Sequence, residues 1–199
     1  MNLYRQAGDA PATWNVTKTF ASMVAVSLLL FWAIPLLIVG WKERQPSLDW
    51  LRFPGLRWPG IVLMAGGAVP FFWAAFTLAL RGRGTPLPFD APRQPVATGP
   101  YAWVRNPMVS AGLVQGIGAG LWFGSTLVMG FFVTLALVWN LIYRPEDERQ
   151  LERVFGRTYV FYRRSVRCWL PHRRPWNPPE VTAPISIDEI PIQPGRRRR

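Results

Sequence analysis

Two short stretches of this chain hold most of the side chains that could do chemistry. The first, "GPYAWVRNPM" at residues 99–108, sets Arg105 and Asn106 side by side among two prolines, two aromatic rings and a glycine. The second, "RPEDERQLERVFG" at residues 144–156, places Asp147 and Glu148 among arginines. Guanidinium groups grip carboxylates bidentately, and a carboxylate can hold a cation or take a proton. With an amide, aromatic rings and glycine-exposed backbone, these groups suit a polar, charged cofactor held against a lipid-soluble substrate. Other chemistries are disfavoured. A single cysteine, Cys168, permits no intramolecular disulfide. A single histidine, His172, argues against a His/Cys metal site or a histidine-based triad.

What positions the two stretches is an all-α, polytopic membrane fold. Half of the 199 residues are apolar, and they come in blocks. Residues 20–41 form an uncharged run long enough for a hydrocarbon core that needs about 20 residues, with Pro35 expected to kink it. A cleaved signal peptide has a shorter apolar region. Residues 61–80 form a second run, with Gly66, Gly67 and Pro70 inside it, and small residues there let helices approach closely. The uncharged run at 109–143 is too long for one crossing. It reads as two helices, about 108–122 and 125–143, turning within "GLWFGS" at residues 120–125. The expectation is therefore four transmembrane helices, the last two forming a helical hairpin that returns the chain to the face it left. That brings the two polar stretches together.

The net charge is +12, and every cation except Lys18 and Lys42 is arginine. The charge flanks apolar blocks, so an anionic lipid surface is the partner it suits, and no nucleic acid is expected. Arg81, Arg83, Arg93, Arg105 and the arginine-rich C-terminus fall on one side of the four-helix scheme, and Lys42, Arg44, Arg52 and Arg57 on the other. The positive-inside rule then puts both termini in the cytoplasm. From about 145 to 167, Leu151, Phe155, Tyr159 and Tyr162 recur at helical spacing among arginines, which reads as a basic amphipathic helix on the inner leaflet. Domain organisation follows: one membrane domain over residues 1–172, then a disordered Pro/Arg-rich tail over 173–199. A transporter is disfavoured, because no ionisable residue lies within the apolar blocks.

Each polar feature also has a plainer reading. Gly82 and Gly84 suit an ordinary turn after a helix. Tyr101 and Trp103 suit interfacial anchors, and Pro107 suits the first turn of a helix. Asp147 and Glu148 in a first helical turn would contribute about 0.3–1 kcal/mol against the helix dipole by themselves.

The order Gly-Pro-Tyr, Val-Arg-Asn-Pro-Met, an apolar helix pair, an acidic pair and then Leu-Glu-Arg-x-Phe-Gly-x-x-Tyr-x-x-Tyr resembles the integral-membrane methyltransferases. These are the isoprenylcysteine carboxyl methyltransferase and phospholipid methyltransferase group, and the likeness is greatest to its bacterial members. The likeness covers residues 82–171. It implies S-adenosylmethionine as cofactor and a lipophilic acceptor, carboxylate or amine, at a bacterial inner membrane. Carried over by position, Arg93, Gln94, Pro95, Val96, Gly99, Tyr101, Arg105, Asn106, Asp147 and Glu148 would meet the cofactor. Arg105, Asn106, Arg144 and Glu148 would be the catalytic set. Val109 departs from the tyrosine many members have there, Asp147 replaces a glutamate, and "VRCWLP" at 166–171 replaces Val-Pro-Arg-x-x-Pro. A membrane reductase of the steroid-reductase type and a non-catalytic scaffold are the alternatives; oligomeric state is not legible.

Overall fold

The computed structural model describes residues 11–83, 85 and 95–177. Arg93, Gln94, Gly84 and the tail from 178 onward lie outside the described residues. The chain is all-helical among those described: α1 (Ala12–Leu28), α2 (Ile34–Lys42), α3 (Arg57–Arg81), α4 (Pro107–Phe123), α5 (Thr126–Val138) and α6 (Arg144–Ser165). Three helical stretches are long and apolar enough to cross a membrane, Thr13–Lys42, Arg57–Arg81 and Thr126–Ser165; Pro107–Phe123 is apolar but shorter. Their outer surfaces stay apolar. Leu37, Val69 and Leu141 are each about 70 % exposed (71 %, 70 % and 69 %), which water would penalise and lipid would not.

Pro35 does not end the first helix, which runs on from Thr13 to Lys42. It is preceded by a π turn, Leu29–Ala33, in which Ile34 donates its N–H to the Leu29 carbonyl, five residues back. A proline lacks an N–H and crowds the carbonyl four residues earlier; widening the preceding turn relieves both problems without ending the helix. The same device recurs before Pro145, where the π turn Trp139–Tyr143 lets Arg144 donate to the Trp139 carbonyl. The segment expected as a separate surface helix from 145 therefore grows straight out of α5. Its break comes later, at Gly156 (φ 57°, ψ −137°), backbone that only glycine adopts readily.

The helices pack through small residues. At Gly60 an added Cβ would stand 2.8 Å from the Gly118 carbonyl, and at Gly67 it would stand 2.8 Å from the Ala111 carbonyl. Seven residues separate the members on each helix, so α3 and α4 run antiparallel with their backbones in contact. Met23, Phe71, Ala75 and Ala111 make one apolar cluster; Phe31, Ala119, Val128 and Phe132 make another. The Phe31 and Phe132 rings stack at 5.3 Å. The chain reverses after α4 at Gly124 (φ 59°), and Ser125 caps α5 by accepting the Val128 N–H at 3.4 Å. Loop 43–56 closes this end: Leu56 and Phe53 donate N–H groups to the Leu121 and Gly124 carbonyls at 3.0 and 3.2 Å. The polar stretches lie at the opposite end, where α4 begins and α5 gives way to α6.

Candidate active site

The wall before α4 is built by a tight turn. Gly99–Ala102 is one 3₁₀ turn with Pro100, Tyr101 and Ala102 buried. Gly99 has φ 60°, and a Cβ on it would come within 3.2 Å of Thr77 Oγ1 on α3, so the turn can sit close to that helix. Pro107 occupies the first turn of α4, where its missing N–H costs nothing. Arg105 and Asn106 are thereby fixed just ahead of a rigid helix.

Across from them, Glu148 points back from α6 and is buried. Arg105 Nη1 donates to Glu148 Oε1 at 3.0 Å. Arg144 Nη1 lies 3.7 Å from the same oxygen, and Arg163 Nη1 lies 3.7 Å from Oε2. Arg163 also pairs with Glu152. It reaches both acids only because the bend at Gly156 turns the second half of α6 back along the first. Three guanidiniums thus converge on one carboxylate, and the Arg105 and Glu148 side chains are 12 % and 11 % exposed.

Behind this cluster stand two tyrosines. Tyr162 donates its hydroxyl to the Tyr101 carbonyl at 2.7 Å, tying the wall before α4 to α6. Tyr159, Tyr162 and Val166 form a buried cluster with Ala97, Leu151, Phe155 and Trp176 against it. The Tyr159 hydroxyl is pushed well above its ordinary value by burial first and then by the Glu148 and Asp147 carboxylates, against Arg105 and Arg163. Burial likewise raises Tyr162, so both remain protonated donors near neutrality.

Residues 166–176 then cross the site as a strap. Arg105 N–H donates to the Arg167 carbonyl at 2.9 Å, His172 N–H to the Trp103 carbonyl at 2.9 Å and Trp176 N–H to the Ala102 carbonyl at 2.8 Å. Asn106 Nδ2 donates to Cys168 Sγ at 3.2 Å, and Arg144 Nη1 lies 4.0 Å from the same sulfur. Trp169 Nε1 donates to Asn140 Oδ1 at 2.9 Å. The proline-rich composition assigns Trp176 to the tail, yet its ring packs 5.4 Å from Tyr162. An indole buries enough apolar surface to hold such a segment in place.

Arg105, Asn106, Arg144 and Glu148 therefore meet. Tyr101 lies one layer behind, Asp147 is half-buried within electrostatic reach of Tyr159, and Gly99 sits at the back against α3. Pro95 is exposed and Val96 half-buried at the rim. The sequence reading missed Arg163 and the strap residues Cys168 and Trp169. Arg163 looks like any arginine of an amphipathic helix; Gly156, a glycine within a helical pattern, is the one signal of the bend that redirects it.

The arrangement could hold a charged ligand. Two buried polar atoms, Arg105 Nε and Thr98 Oγ1, have no hydrogen-bond partner among the described residues. Both lie on the wall before α4, and each is open to a further partner. A guanidinium suits an amino-acid carboxylate, and the acids suit an ammonium. No curated protein and no solved structure matches the chain. A family model does: phospholipid methyltransferase, over residues 56–158. That match runs through α3, the Arg105 wall, α4, α5 and the first half of α6 with Arg144 and Glu148, and on it the chain belongs to the phospholipid methyltransferase family, a family of membrane methyltransferases.

Proposed function

We propose that the chain transfers a methyl group from S-adenosylmethionine to a lipophilic acceptor, with Arg105, Asn106, Arg144 and Glu148 as the residues that act on cofactor and acceptor. The observation that carries this reading is the Arg105–Glu148 contact at 3.0 Å, made beside the unpartnered Arg105 Nε at the edge of an apolar bundle. When bound, the cofactor supplies a methyl carbon activated by its sulfonium. Arg105 would hold the cofactor carboxylate. Glu148 can release Arg105 without becoming an isolated anion, because Arg144 and Arg163 stand 3.7 Å away. A carboxylate acceptor is already a nucleophile and would need only orientation, which Arg144 can give. An amine acceptor must lose a proton, and Glu148 is the base within reach. The strap and the helices keep water from the reacting atoms.

We further place both termini in the cytoplasm, with α4 as a fourth, short crossing. Its 17 residues span about 25 Å, and it lies along α3 from Gly67 to Gly60. Its shortness against a core of about 30 Å is of the size that local bilayer thinning absorbs.

The test uses the full-length protein in nanodiscs made from native lipid extract. Labelled S-adenosylmethionine should bind and transfer its label to a lipid-soluble product seen by mass spectrometry. Arg105→Ala should lose binding while inserting normally, and removal of residues 178–199 should spare it. Retention of the wild-type dissociation constant by Arg105→Ala would remove the assignment, and protection by a nicotinamide cofactor instead would point to the reductase alternative.

A further inference from the structure

The strap carries a feature the catalytic reading does not use. Arg167, His172, Arg173 and Arg174 line an open concavity of about 390 Å³. Among the described residues, none of the three arginine side chains has a carboxylate partner, unlike Arg105, Arg144 and Arg163. His172 Nε2 accepts the Arg167 N–H at 3.0 Å, which folds the strap back on itself and leaves the imidazole to donate through Nδ1. Four donor groups on one concave surface, with no anion among the described residues, suit an anionic ligand.

The depth of this surface is fixed by its neighbours. Trp169 sits between the basic residues in sequence, its ring 5.8 Å from Trp139 and its Nε1 bonded to Asn140. The Trp169 carbonyl accepts the Ser110 hydroxyl at 3.4 Å, in the first turn of α4. Leu170 beside it is 66 % exposed. Trp139 and Asn140 belong to the last uncharged turn before Arg144, so Trp169 and Leu170 lie where a bilayer's hydrocarbon meets its headgroups. A tryptophan settles at that level, and lipid phosphates lie just outside it.

We propose that residues 167–174 form a binding site for the phosphate of an anionic membrane lipid in the leaflet beside the candidate active site. Arg167, Arg173 and Arg174 are the phosphate ligands, and Trp169 and Leu170 set the depth. The site does not depend on methyl transfer, and its test reads lipid binding alone.

The full-length protein is reconstituted in nanodiscs of phosphatidylcholine with one-fifth phosphatidylglycerol, released into mild detergent and weighed by native mass spectrometry. Wild type should retain phosphatidylglycerol preferentially. Each arginine near a charged surface changes affinity by about fivefold, so Arg173→Ala/Arg174→Ala should lose about twenty-five-fold of that preference. Arg198→Ala/Arg199→Ala removes the same charge from the C-terminus and should leave the preference intact. Equal losses in both double variants would mean diffuse attraction to basic charge and would overturn the site. So would an undiminished preference in Arg173→Ala/Arg174→Ala. Displacement of the retained lipid by millimolar inorganic phosphate would assign the surface to a soluble anion instead. Thermal unfolding of each variant checks that these exposed substitutions leave the fold intact.

Discussion

Glu148→Gln and Arg105→Ala break the same contact, but their costs should differ. The Glu148 and Arg105 side chains are 11 % and 12 % exposed, whereas Arg144 and Arg163 are 29 % and 36 % exposed. Removing the negative charge leaves Arg105 buried with no anion, and a buried charge stripped of its partner costs about 3–5 kcal/mol at full burial. Glutamine keeps one acceptor oxygen, and Arg144 and Arg163 can turn to water, so about 2 kcal/mol is the expected loss. Removing Arg105 instead leaves Glu148 with two guanidiniums 3.7 Å away, an anion still compensated, for about 1 kcal/mol. The double variant should be more stable than Glu148→Gln alone, since it removes the orphaned cation too. Reversible unfolding by SDS in mixed micelles measures all three. A loss in Arg105→Ala as large as in Glu148→Gln, or strictly additive losses, would refute the idea that Arg144 and Arg163 share the carboxylate.

Reporter fusions at Arg93 and after Pro175 should both signal cytoplasm and one at Trp50 the opposite side; a cytoplasmic signal at Trp50 removes the four-crossing scheme. Gly156→Ala forces a side chain into backbone at φ 57°, ψ −137°, at a cost of about 1–3 kcal/mol. It should also pull Arg163 from Glu148 and weaken cofactor binding, whereas a stable variant with full binding would separate the bend from the site. Tyr162→Phe deletes a buried 2.7 Å bond to the Tyr101 carbonyl and should cost about 1–3 kcal/mol. Because burial raises the Tyr159 and Tyr162 hydroxyls in the folded state, their contribution is full below their ordinary value of about 10 and falls as pH rises above it. Stability should therefore decline above about pH 10, less steeply in the Tyr159→Phe variant; a flat profile to pH 11 would contradict the burial of these hydroxyls.

The apolar blocks at 20–41 and 61–80 showed their helices in the sequence because hydrocarbon length and lack of charge are local properties. Boundaries were less legible. Helix α1 starts at Ala12, eight residues before its block, since Asn15 and Thr19 are polar but buried. A π turn precedes both Pro35 and Pro145, and π turns leave no mark in composition. The meeting of Arg105 with Glu148 followed from topology, as two stretches bracketing a helix pair. The part played by Arg163 depends on one backbone angle at Gly156, and the strap depends on hydrogen bonds made by main-chain atoms that every residue carries.

Continuity from α5 into α6 also changes how the acids at 146–148 are understood. Acidic residues at the start of a helix are ordinarily explained by unpaired N–H groups and the dipole they carry. Here α6 has no such start: Arg144 N–H already bonds to the Trp139 carbonyl, and the helix arrives from α5 with its ladder filled. The dipole explanation loses its basis for Glu148, whose contacts are three guanidiniums and no helix end. Nor does net stability account for the cluster, because burying paired charges gives a fold little that apolar residues of the same volume would not. Charges brought together against that cost, at the mouth of an apolar bundle, mark a place to meet a charged ligand. On the function proposed above, that ligand is the methyl donor, which asks for both a guanidinium and a carboxylate.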